Sequence, residues 1–138
     1  MSAEVDVFSS ASRTAQAVRA RDLSAVSVAE AALARIARVN GTLNAVVTLN
    51  PGALAEAQRV DACLARGDDP GVLAGVPVGI KDITPVAGVR TTYGSPIFAD
   101  HVATDDAVTV ARLRAAGAVI LAKTNTPEFA AGANTWRR

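Results

Sequence analysis

The stretch GVPVGIKDITP, residues 75–85, sets the frame for the rest of the chain. Residues 76–81 read as a strand of apolar and β-branched residues, ended by Lys81 and Asp82. With a period of two, Val76, Val78 and Ile80 share one face, and Pro77, Gly79 and Lys81 share the other. Gly79 has no side chain, so another backbone or a ligand is expected to approach closely beside Lys81. The chain holds 14 basic residues, of which only Lys81 and Lys123 are lysines. Arginine stays protonated at working pH, whereas a lysine can lose its proton. A lysine at the end of a buried strand therefore points to a task that arginine cannot perform.

Outward from this strand, a second one is expected. AVILAK, residues 118–123, is a continuous apolar run of the kind that a strand covered on both faces shows. Residues 106–116 between them read as a helix, with Thr104 or Asp105 as cap and Gly117 at its end. Strand, crossover, helix and strand make a βαβ unit with parallel strands. Residues 83–104 form an unusually long connection rich in Thr, Gly, Ser and Pro. Loops of that length in compact domains are often functional.

The first half reads as helices. SSASRTAQAVRAR offers Ser9 or Ser10 as an N-cap. SVAEAALARIARVN opens with Ser27 and Glu30 at capping-box spacing, and Asn40-Gly41 is expected to close that helix. LNAVVTL, residues 43–49, reads as a short strand. Asn50-Pro51 opens a third helix with a stripe of Ala53, Ala57, Val60 and Leu64, stopped by Gly67. GDDPG reads as a surface turn. The fold class is thus α/β: helices first, then a βαβ unit of a mixed sheet.

Composition narrows the function classes. Half of the 138 residues are hydrophobic, and the formal net charge is +1. The arginines are scattered, which argues against a nucleic-acid surface, and no apolar run is long enough to span a bilayer. The N-terminus lacks the basic and apolar regions of a signal peptide. Cys63 and His101 stand alone, so no intrachain disulfide, metal site or cofactor is expected, and the cysteine usage fits a cytoplasmic protein.

Three readings of Lys81 stay open on the residues alone: a structural ion pair with Asp82 or another carboxylate, a Schiff-base lysine, and a neutral general base. Lys123 reads as paired to a carboxylate, and Asp82 as fixing the loop. Thr91, Thr92 and Ser95 read either as pocket residues or as turn chemistry.

GVPVGIKD, then TTYGSPIFAD, then DDAVTVARLRAAGAVILAKTNTPEFAAGANT, resembles the amidase signature family. The resemblance covers residues 25–135, with 1–24 as a leading arm and 136–138 as a tail. It implies an α/β/α fold of which this chain is the N-terminal portion, incomplete as a domain. It also implies hydrolysis of a small-molecule carboxamide through a Ser–cis-Ser–Lys triad, with Lys81 as the base and a homodimer among the arrangements of the full-length parent. None of the seven serines stands in the Gly/Ser-rich context of the triad serines, so the chain alone is expected to be inactive. TNTPEF is more similar to general amidases than to the amidase-family component of the tRNA-dependent amidotransferase, which stays as the alternative. A non-enzymatic α/β binding module is the reading from another class.

Overall fold

The computed structural model describes residues 5–132. In chain order the elements are α1 (Ala11–Arg19), α2 (Ala25–Leu43), β1 (Val46–Leu49), α3 (Ala53–Ala65), β2 (Pro77–Lys81), α4 (Val108–Ala115) and β3 (Val119–Thr124). Two short 3-10 turns, Pro96–Phe98 and Glu128–Ala130, punctuate the second half. The strands form a mixed sheet in the order β1-β3-β2, with β2 parallel and β1 antiparallel to β3. The expected βαβ unit is therefore present, and the fold is α/β with the helical half leading.

Central β3 is covered on both sides. Val119, Leu121 and Ala122 pack with Val18, Val28, Ala29, Ala57 and Val60 from the three leading helices. Ile120 packs with Ile80, Val110 of α4, and Val86 and Val89 of the long connection. This explains why the run is apolar throughout: neither face of the central strand meets water. Alanines at the helix contacts let the backbones approach the sheet closely.

A bulge changes the alternation. Val78 pairs with Ile120, but Gly79 pairs with Ala122, so Leu121 is an extra residue in β3. Leu121 and Ala122 consequently both join the helical core. Lys123 is thrown back towards the side of Ile120. Lys81, paired with Thr124, lies towards the opposite face. The two lysines end adjacent strands but do not share a face.

Several local expectations are corrected. The N-cap of α2 is Ser24, not Ser27: Ser24 Oγ accepts from the Ser27 N–H at 2.9 Å, and Asp61 accepts from Ala25 and Val26 N–H at 2.7 and 3.1 Å. The helix thus starts before the expected box, because a carboxylate from α3 holds its first turn. It also runs through Gly41 to Leu43, ending on Asn44 in the left-handed region at φ 50°. Neither Thr104 nor Asp105 caps α4, whose N-cap is Ala107. Asp106 instead accepts from the Ala87 N–H at 2.8 Å and from Arg114 at 2.6 Å, fastening the connection to the helix. Ser10 does cap α1, and Gly67 does follow the end of α3.

Candidate active site around Lys81 and Lys123

β2 delivers Lys81 to the C-terminal edge of the sheet, the edge at which open α/β sheets bind ligands. Its backbone C=O accepts from the Thr84 N–H at 2.9 Å, so the chain turns immediately after it. Lys81 is exposed among the described residues. This corrects the expectation of a buried ammonium: at the end of edge strand β2 the Lys81 side chain stays open among the described residues. The expected reason for Gly79 also changes. A Cβ at Gly79 would stand 2.8 Å from Thr124 Cγ2, so the space beside it is taken by the neighbouring strand. A larger residue there would have to displace the Thr124 methyl group of β3.

Burial falls instead on the other lysine. Lys123 is fully buried, as is Asp82 at 1% exposure, and its Nζ lies 3.2 Å from Asp82 Oδ1. Nζ also donates to Thr91 Oγ1 at 2.7 Å, and that hydroxyl donates to the Val89 C=O at 3.2 Å. Burial pushes the Lys123 amine below its ordinary value, and the hydrogen bond and charge of Asp82 oppose that shift in part. The reading of Lys123 as paired to a carboxylate therefore holds, and so does that of Asp82 as the anchor of the loop.

Asp82 binds the loop through its side chain and its backbone. Its carboxylate accepts from the Thr92 N–H at 3.2 Å and from the Thr92 hydroxyl. Its N–H donates to the Thr124 C=O, and its C=O accepts from the Tyr93 N–H, each at 2.9 Å. Ser95 is fully buried and donates to Glu128 at 2.6 Å. Thr91, Thr92 and Ser95 are thus more than turn chemistry. The sequence signal for Thr91 and Thr92 was weak: two small hydroxyl residues in a polar loop do not reveal which buried charge they serve.

Asp82, Thr92, Arg90, Asn44 and Asn125 line a cleft of about 330 Å³ at this edge. Arg90 reaches the carbonyls of Ala99 and Val47 at 3.0 and 3.1 Å, joining the long connection to β1. A second cavity of about 470 Å³ lies beneath the N-terminal arm, lined by Val5, Arg13, Leu23 and Pro77 among others. It takes in neither lysine. Among the described residues, no group of three or more His, Cys, Asp or Glu side chains is placed to hold a metal ion. No helix among them is long and apolar enough to cross a membrane.

Comparison with known proteins agrees with this geometry. The Amidase family profile matches residues 27–137. A glutamyl-tRNA(Gln) amidotransferase component from Bdellovibrio bacteriovorus is 46% identical over 127 residues, covering 92% of this chain and 26% of that protein. The crystal structure of the native peptide amidase from Stenotrophomonas maltophilia superposes with a TM-score of 0.83 at 37% identity, covering 88% of this chain and 26% of that one. A 6-aminohexanoate cyclic dimer hydrolase superposes with a TM-score of 0.77 at 33% identity, covering 91% and 25%. The chain spans about a quarter of the length of the curated relatives it matches. Amidotransferase components and amidases both stand among these relatives. With its profile match across most of the sequence, the chain belongs to the amidase signature family.

Proposed function

We propose that the full-length protein hydrolyses the C–N bond of a small carboxamide, with Lys81 as general base. The observation that carries the reading is Lys81 itself. It is an amine at the C-terminal edge of β2, next to a residue held on all sides, with its side chain projecting from the sheet. In the triad that the family resemblance implies, neutral Lys81 takes a proton from a relay serine. The relay serine takes one from a nucleophilic serine, whose oxygen attacks the amide carbon. The amine leaves with a proton, and water releases the acyl group. Both serines would come from outside this segment, so the chain alone is expected to be inactive.

The test is Lys81→Ala in the full-length protein, assayed on small amides. Loss of hydrolysis with the fold intact is expected, and retained hydrolysis would remove Lys81 as base.

A second reading is favoured by the 46% identity to an amidotransferase component: the parent would act on an amide donor within a tRNA-dependent assembly. Amidation of glutamyl-tRNA on addition of partner proteins, without free-amide turnover in their absence, would select it. A cytoplasmic location and a homodimeric parent accompany the first reading. Cell fractionation and solution mass measurement test them.

A further inference from the structure

Asp82 follows Lys81 directly and leaves none of its polar groups idle. Its N–H goes to Thr124, its C=O takes Tyr93, and its carboxylate takes Lys123 and both donors of Thr92. The carboxylate and the ammonium beneath it are both sealed from water. Such a pair is a poor way to gain stability, since an apolar pair of similar volume often does as well or better. What a charged pair offers is direction. A carboxylate accepting two donors from Thr92 while facing an ammonium fixes where those donors stand, which an apolar side chain would not do. Lys81 lies between the β2–β3 ladder and this fixed point, so its Cα has little freedom while its side chain remains free to reach out.

We propose that the buried Asp82–Lys123 pair is the positioning element for Lys81, clamping residues 91–93 and the strand end so that the amine is presented in one place. The proposal rests on the catalytic role of Lys81 given above. Asp82 and Lys123 are both buried, and the proposal gives them no chemical step. They act through the backbone on either side of the base.

The test uses Asp82→Asn and the double variant Asp82→Leu/Lys123→Met in the full-length protein. The double variant removes both charges together, so it tests the pair without the unpaired buried ammonium that the single variant leaves. Two measurements are made. Amide hydrogen exchange at Thr92 and Tyr93 is expected to quicken by about ten-fold or more relative to Ile120 in the core of β3. Amide hydrolysis is expected to lose kcat on the order of a hundred-fold with KM little changed, because the base is misplaced while binding is not. Exchange at Thr92 and Tyr93 that rises only in step with Ile120 would show a general stabiliser and overturn the proposal. So would unchanged kcat in variants of a protein that Lys81→Ala inactivates. Full activity in Lys81→Ala would overturn the role of Lys81 instead, and the exchange measurement would still decide whether the pair clamps 91–93.

Discussion

Glu56, on α3, accepts a hydrogen bond from the backbone N–H of Ile120 in the middle of β3, at 3.0 Å. A side chain thus binds a backbone group of the central strand, whose ladder is interrupted there by the bulge at Leu121. The same carboxylate accepts from Asn50 Nδ2 at 2.9 Å and from Arg114 at 2.8 Å. Replacing Glu56 by Ala would orphan the buried Ile120 N–H and one of the two Asn50 Nδ2 hydrogens, the other staying on the Ile120 C=O. Each unsatisfied donor costs about 1–3 kcal/mol, so a loss of at least about 2 kcal/mol is expected from urea unfolding. Glu56→Gln, which keeps an acceptor, should lose less.

Two glycines should respond in opposite directions to a methyl group. Gly117 has φ +88°, and a Cβ there would stand 2.5 Å from the Pro70 carbonyl oxygen. Gly117→Ala is therefore strained in both backbone and contact, at a cost above the roughly 1–3 kcal/mol of a strained backbone alone. Gly41 lies inside α2 with nothing within 4 Å of a built Cβ. Gly41→Ala should raise stability by about 0.5–1 kcal/mol, since alanine is the better helix former. Thermal unfolding of the two variants side by side checks both signs.

The cap of α2 gives a third measurement. Ser24→Ala removes the side-chain acceptor for the Ser27 N–H and should cost about 1 kcal/mol. Glu30 is exposed, one turn beyond the cap, and Glu30→Ala should be near neutral. Circular dichroism during denaturation separates the two. A larger effect at Glu30 would restore the capping box expected from the sequence.

Lys123 gives the stability a pH dependence of known sign. Its native value lies below its unfolded value of about 10.5, with burial as the leading cause. Between the two values the unfolded chain binds more protons than the native one. Stability therefore rises with pH across that window, and the full penalty applies below it. Urea midpoints of the unsubstituted protein, measured against Asp82→Leu/Lys123→Met, should shift in its favour as pH is raised towards 10.5. A difference that stays flat or falls would contradict the direction of the shift.

Legibility in the sequence followed the range of the forces involved. The apolar run at 118–123, the stripe of α3 and the βαβ order were readable because periodicity and burial are local signals. The bulge at Leu121 was not readable, and it decides which face Lys123 occupies. Helix starts were misplaced where a distant side chain supplies the acceptor, as Asp61 does for α2. At the site, the place of Lys81 at the end of β2 and the pairing of Lys123 could be inferred from residue type and position. Their exposure could not. A strand end looks the same in sequence whether it meets protein or water.

The contrast between the two lysines makes this chain selective towards amine chemistry. Twelve of its 14 basic residues are arginines, which reagents for primary amines ignore. Of the two lysines, Lys123 is sealed, and Lys81 alone is open to solvent. An activated ester, a fluorophore or a resin applied to this segment in its native state would find one side-chain target, and it is the residue proposed as the base. Coupling through lysine would tether the segment by that proposed base, so labels and supports are better attached by other chemistry.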